Sequence, residues 1–245
     1  MKRRRFLSML ILLMLYGIAS FLVDNSILIP SLHSVATKMV QQMNSSSFYL
    51  ALSSTLLRLM QGYSLSLVVG LLFGYLCAKR AWIDDLFSPI ASMLKTIPNI
   101  SYMIVLLIVL GSEKAVLLII FLICFPIIFE SVKSGVRAIP ADWLDVLKLY
   151  PESSWNRFKS VYVFSILPYF LQASQTALGL GFKVAIMAEV LGQPRYGIGK
   201  SMHLSKLYLH MDEIFAWTLW IILFGLLFDG LFEFGTKILR KRWDF

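Results

Sequence analysis

The sequence predicts an all-α integral membrane protein of about six transmembrane helices, and three observations carry that prediction. Of its 245 residues, 58% are hydrophobic and only 15% charged, with a mean hydropathy of +0.74, beyond the apolar share of soluble domains. Apolar runs recur along the chain, several near the roughly 20 residues that cross about 30 Å of hydrocarbon as a helix. Lys and Arg gather in the short segments between those runs, as expected when cytoplasmic loops retain them during insertion.

Residues 1–20, MKRRRFLSMLILLMLYGIAS, join a basic start to an apolar run. Gly17-x-Ala19 also fits a leader cleavage site; we read the segment as an uncleaved first span ending near Val23, and cleavage would leave the later topology unchanged. Residues 24–47, polar and rich in Ser and Asn, are expected to form an external loop. The second span, 51–78, carries Gly62, Ser66, Gly70, Gly74 and Ala78 at an unbroken spacing of four. That spacing lines small residues along one helix face, where another backbone can approach closely. Lys79, Arg80, Asp84 and Asp85 end the span in water, and 86–95 reads as a short interfacial segment closed by Pro98.

A third span covers 97–110, and Gly111-Ser112-Glu113-Lys114 turns tightly into a fourth, 115–129, which Pro126 is expected to bend. Residues 130–160 are polar. A fifth apolar segment, 161–190, reads as irregular because Pro168, Gly179 and Gly181 interrupt it. After a polar loop at 192–212, a last span at 214–234 ends in KILRKRW. The chain therefore divides into an N-terminal helix and loop (1–47), a membrane core (48–235) and a basic tail (236–245).

With both termini cytoplasmic, 16 of the 23 basic residues fall in cytoplasmic segments. Five lie outside (Lys38, Lys114, Arg195, Lys200 and Lys206), and Arg58 and Lys183 lie within spans; this asymmetry favours that orientation over its inverse. The same distribution accounts for the net charge of +9 without a nucleic-acid partner. Cys77 and Cys124 sit in apolar runs and His33, His203 and His210 are scattered, so neither a disulfide framework nor a metal site is expected. No cofactor-binding motif and no G-x-x-x-x-G-K-[ST] nucleotide loop occurs, so ATP hydrolysis is not expected of this chain.

Ionisable residues inside spans cost roughly 2.5–3.5 kcal/mol each at mid-helix on insertion scales, so each asks for a reason. Lys183 and Glu189 are six residues apart, hence on different helix faces, and with Arg58 are candidates to line a pathway; interface anchoring, subunit packing and, for Arg58, snorkelling are the alternatives. Asp229 and Glu233, one turn apart near Lys237, read as a solvated or salt-bridged helix end.

The polar stretch ADWLDVLKLYPESSWNRF places Trp143, Val146, Leu147 and Tyr150 on one apolar stripe of a two-turn helix. Asp142 can cap it, Asp145 suits its first turn, and Pro151 stops it. Two short helices are thus expected to meet at residues 150 and 151, with aromatic knobs at Trp143, Tyr150, Trp155 and Phe158. Such a pair can lie on the membrane surface or insert into a groove of a soluble partner; periodicity leaves both open.

The stretch resembles the cytoplasmic EAA loop of binding-protein-dependent ABC importer permeases of the nitrate/sulfonate/taurine type. Gly135-Val136-Arg137 precedes it, Asp145-Val146-Leu147 stands for the EAA triplet, Pro151 for the glycine, Trp155 follows four residues later, and Leu167-Pro168 comes after. The likeness extends over about 50–235: SSTLLRLMQGYSLSLVVGLLFGYLCA with Arg58, LKTIPNISYMIVLLIVLG, and GFKVAIMAEVLGQPRYGIGK with Lys183, Glu189 and Gly192. The departures are concentrated in the triplet and at Pro151, which implies a matched, divergent ATPase.

The resemblance implies a type I ABC importer permease (MetI-like) core with a cytoplasmic coupling helix, in a prokaryotic cytoplasmic membrane. Its implied partners are cytoplasmic ABC ATPase subunits, an extracytoplasmic substrate-binding protein, a second permease chain and lipid. Trp143, Asp145, Val146, Leu147, Tyr150, Pro151, Trp155 and Phe158 are then the ATPase-coupling residues. The implied cargo is a small anion or a heterocycle such as a thiamine-precursor pyrimidine. A self-sufficient secondary transporter or channel is the alternative, although no internal repeat of that kind is evident; a membrane scaffold would leave the several family-like segments unexplained.

Overall fold

The computed structural model describes residues 2–23, 25, 28–149 and 153–243, and no strand occurs among them. The helices are α1 (Lys2–Val23), α2 (Leu32–Met43), α3 (Ser46–Lys79), α4 (Ala81–Thr96), α5 (Asn99–Arg137), α6 (Ala141–Leu149), α7 (Ser154–Arg157), α8 (Phe164–Gly192), α9 (Ile198–Leu207) and α10 (Met211–Trp243), with a π-helical turn, Phe158–Val163, leading into α8. Among the described residues, four stretches are long and apolar enough to cross a membrane: Ser46–Lys79, Asn99–Arg137, Val161–Gly192 and Met211–Ile238; Met14–Val23 adds a shorter apolar helix.

Gly111 divides α5 into two arms, because its φ of 71° and ψ of 162° leave the helical region. That positive φ favours glycine, which has no Cβ to clash. Lys95, one turn before the first arm, lies 2.5 Å from Glu130 on the second, so the arms run antiparallel. The two spans expected at 97–110 and 115–129 thus meet at a single residue, and the second arm continues to Arg137. The first arm is about 18 Å long at 1.5 Å per residue, shorter than the hydrocarbon thickness.

The second arm is the central helix. The apolar window of α5 is 61% buried, whereas that of α10 is 11% buried, and α5 packs extensively on both α3 and α8. Its contact with α3 runs along the small-residue face. A Cβ on Gly62 would lie 2.7 Å from the Leu117 carbonyl oxygen, one on Gly70 2.8 Å from Ile128 Cβ, and one on Gly74 2.7 Å from the Phe129 carbonyl oxygen. Ser66 sits between them and donates its hydroxyl to the Gly62 or Phe121 carbonyl, 2.8 and 3.1 Å away; Ala78 packs at the far end of the same cluster. On the opposite side, a Cβ on Gly181 of α8 would lie 2.9 Å from Cys124 Sγ.

Four expectations need correction. Residues 24–47 are not all loop: Ser31 Oγ accepts from the Ser34 amide at 3.2 Å and caps α2, which buries Val35 and packs on α10. The 192–212 loop contains α9. The fifth segment is a continuous helix through Gly179 and Gly181, since Pro168 falls only one turn after α8 begins and a wide π turn precedes it. Asp142 also lies within the first turn of α6 instead of before it, because Pro140 supplies the carbonyl that accepts from the Trp143 amide at 3.2 Å.

Gly70→Ala forces a methyl into backbone and side-chain atoms of α5 and is expected to lower stability by about 1–3 kcal/mol. Gly225→Ala on α10 meets nothing within 4 Å and should leave stability unchanged or slightly raised. Thermal unfolding of the two variants in detergent checks the contrast; equal midpoints would contradict the packing.

Candidate functional site

Helix α3 carries Thr55 and Arg58 one turn apart at the level of the Gly111 hinge, and α8 brings Glu189 to the same level. Glu189 and Thr55 are fully buried, and Arg58 is 9% exposed. Arg58 Nη1 donates to Glu189 Oε1 at 2.8 Å and to the Tyr196 carbonyl at 2.8 Å, while Nη2 donates to Glu113 Oε2 at 2.6 Å. Thr55 Oγ1 lies 3.0 and 2.8 Å from the two Glu189 oxygens and accepts from the Ile198 amide at 2.9 Å. The Gly199 amide donates to Glu189 Oε2 at 3.0 Å, and the Arg195 amide to Glu113 Oε1 at 2.6 Å.

This network explains how a carboxylate tolerates complete burial: each oxygen has donors, and a guanidinium balances the charge. It also explains GQPRYGIGK. The chain leaves α8 through Gln193, whose φ is 49°, and residues 195–199 fold back over the carboxylate. A Cβ on Gly197 would lie 2.5 Å from Glu189 Oε2, and one on Gly199 would lie 2.7 Å from Glu189 Cβ. Gly197 has a φ of 165°, ordinary extended backbone, so space and not torsion demands the glycine there. α3, the Gly111 hinge, the end of α8 and the 195–199 segment are thereby tied into one unit.

Lys183 stands apart. It is exposed on α8, on a different face from Glu189, and makes no hydrogen bond or ion pair among the described residues. Of the three ionisable candidates, the structure brings Arg58 and Glu189 together and leaves Lys183 separate. Thr55, Glu113 and the donors at 195, 198 and 199 were missed by sequence reasoning. The only signals for them were an acidic residue in a tight turn and two glycines close behind a buried acid.

At the opposite end of the bundle, α6 and α7 flank residues 150–152. Trp143, Asp145, Leu149 and Trp155 are exposed, Trp143 by 47% and Trp155 by 70%. Tyr150 and Pro151 lie outside the described residues, as do the side chains of Val146, Leu147 and Phe158. A clasp beside this segment fixes α4 to the end of α5: Asp84 receives Lys133 at 3.0 Å and Arg137 at 2.6 Å, with Ser88 bonded to both Asp84 and Lys133. Partial burial pushes the Asp84 carboxyl up, but the hydrogen bonds from Ser88, Lys133 and Arg137 and the Lys133 charge outweigh it and hold its pKa at about 2. Lys79 lies 3.7 Å from the ring centroid of Tyr162, joining α3 to the π-helical turn before α8. Glu233 pairs with Lys237 at 2.8 Å on α10. No cluster of His, Cys, Asp and Glu fit to hold a metal occurs among the described residues.

The model of a family described as binding-protein-dependent transport system inner membrane component matches residues 70–244. The chain is 28% identical over 183 residues to a bicarbonate transport system permease protein of Synechocystis sp., covering 74% of this chain and 65% of that protein. It is 24% identical to a nitrate import permease protein of the same organism, covering 74% and 66%. It is 23% identical to a putative aliphatic sulfonates transport permease protein of Bacillus subtilis, covering 74% and 64%. The chain thus spans about 65% of the length of these relatives.

Arg58→Met leaves the fully buried Glu189 carboxylate without a cation and is expected to cost about 3–5 kcal/mol. Adding Glu189→Gln, which is also made alone, should recover part of that loss, because no carboxylate is then buried without a counter-ion. Thermal unfolding of the single and double variants measures the coupling, and additive losses would refute it. A second outcome concerns pH. A carboxyl held below its ordinary pKa contributes stability that is complete above about 4 and lost as pH falls through about 2. Asp84→Asn should therefore be less stable than the parent at pH 7, and unfolding midpoints of the two should converge as pH approaches 2.

Proposed function

The chain belongs to the binding-protein-dependent transport system inner membrane component family, and we propose on that footing that it is the permease subunit of an ATP-driven importer. Two copies enclose the pathway, an extracytoplasmic binding protein delivers the solute at the Gly111 end, and separate ATPase subunits dock on residues 141–158 from the cytoplasm. The observation that carries this reading is the family match across 70–244, which includes the helix pair α6 and α7 with its exposed Trp143 and Trp155. Large aromatic side chains held in water on short helices fit the anchors of a groove-inserted element.

The named cargoes of the relatives, bicarbonate, nitrate and aliphatic sulfonates, are all small anions, and we take that class for this chain. Arg58 and Glu189 are committed to each other and to the 195–199 segment, which supports a bracing role at the entry end. ATP-driven closure of the ATPases would push the α6–α7 segments together and rock the two permease chains as rigid bodies.

Purification of the tagged chain from native membranes should yield an ATPase subunit. Reconstituted with its binding protein and bicarbonate, nitrate or an alkanesulfonate, the complex should hydrolyse ATP faster than without them. Trp143→Ala and Trp155→Ala are each expected to reduce ATPase retention by about tenfold or more without changing the permease's unfolding midpoint. A permease that transports solute with no ATPase present would sink the proposal.

A further inference from the structure

We propose that the exposed face of α8 carrying Gln172, Thr176, Gly179 and Lys183 lines the translocation pathway, and that Lys183 makes this pathway selective for small anions. The inference rests on the importer reading above, and adds to it the surface and the side chain that discriminate.

The four residues recur at spacings of four, three and four along α8, which places them on one helix face. They cover about 16 Å of its length. Gln172, Thr176 and Lys183 are exposed, and Lys183 lies nine residues, about 14 Å, inside the Gly192 end of the helix. Hydrocarbon is a poor solvent for this surface. A lysine alone could snorkel toward headgroups, but snorkelling does not account for the polar residues that continue deeper along the same face. Gln172 and Gln175 also line a cleft of about 490 Å³ with Pro168, Tyr169 and Thr236, so the polar face opens into a cavity at its far end. Thr176 returns its hydroxyl to the Gln172 carbonyl at 3.0 Å, so that among the described residues the glutamine amides and the lysine ammonium are the groups on this face left to meet a solute.

Gly179 supplies an independent observation. A Cβ built there meets no heavy atom within 4 Å, so packing within the chain does not require glycine, although glycine weakens a helix relative to alanine. The space it leaves lies outside the chain, one turn from the ammonium. Arg58 is charge-balanced by Glu189 and Glu113, whereas Lys183 has no carboxylate beside it among the described residues. A fixed, uncompensated positive charge between low-dielectric walls concentrates anions and repels cations.

Gly179→Cys reads that field directly in the full chain assembled with its ATPase, since Cys77 and Cys124 are buried and the parent protein serves as the background. The probes are two methanethiosulfonates, the anionic sulfonatoethyl and the cationic trimethylammonioethyl reagent, applied with Lys183, Lys183→Gln or Lys183→Glu. The anionic-to-cationic rate ratio should fall about tenfold from Lys to Gln and further with Glu. Thr176→Cys, on the same face, provides a second reporter should the Gly179 variant assemble poorly. Cysteines unreactive to both reagents would mean that lipid or a second copy covers the face, and overturn the proposal. A ratio independent of residue 183, in complexes that still hydrolyse ATP in response to the loaded binding protein, would overturn anion selection and leave the importer reading standing. Absence of a copurifying ATPase would overturn that reading and this inference with it.

Discussion

The close approach of α3 to the second arm of α5 is the contact on which the other parts of the structure depend. In a bilayer, apolar side chains gain little by leaving lipid for protein, so helices associate through van der Waals contact and hydrogen bonds. Gly62, Gly70 and Gly74 let α3 approach until the carbonyl oxygens of Leu117 and Phe129 stand where side chains would otherwise be. At that distance Ser66 reaches across to the Phe121 carbonyl. The pairing holds α5 at the centre, and leaves its other side for α8, where Gly181 meets Cys124 and Gly135 meets Ile166 in the same manner.

Fixing the two helix pairs also fixes their register, and register decides what the charged residues meet. Arg58 reaches Glu189 across 131 positions of sequence and Glu113 across 55. A shift of one helical turn, about 5.4 Å, would separate every one of those pairs and leave a carboxylate buried without a partner. The small-residue face and the ionic network are therefore mutually dependent: the first sets the distance, and the second penalises any sliding along it.

Sequence reading reached these two features to different depths. The spacing of Gly62, Ser66, Gly70, Gly74 and Ala78 is a local pattern, visible within one helix, and so is the oddity of a charge such as Arg58 or Glu189 inside an apolar run. Which residues those charges meet is not local. The partnership of Arg58 with Glu189, and the folding of 195–199 over the acid, follow from the packing of three helices and could not be read from any one of them. Helices α2 and α9 escaped notice because Ser, Asn, Gln and Lys dominate their surroundings and only a cap at Ser31 marks the start of the first. Gly111 was legible as a turn because a lone glycine before Ser-Glu-Lys interrupts two apolar runs. The second arm continues as helix to Arg137, where Val132 and Val136 are buried and Lys133 and Arg137 meet Asp84 on α4, contacts no single stretch of sequence reveals.

The same arrangement constrains how the molecule can move. At the Gly111 end, α3, α5, α8 and the 195–199 segment share one buried network. At the other end, Asp84 ties α4 to α5, and Lys79 ties α3 to the turn before α8. A helix bundle braced at both ends resists internal shear, because sliding any one helix breaks charged contacts at buried or half-buried positions. The cheaper motion is rotation of the whole unit against a neighbour. Under the importer reading proposed above, force applied at α7 would pass through the π-helical turn into α8 and so to the Gly111 end, and what would change is the surface between two such units. On the proposal that the polar face of α8 lines the pathway, such a rotation would open or close it without breaking the ionic contacts inside the chain.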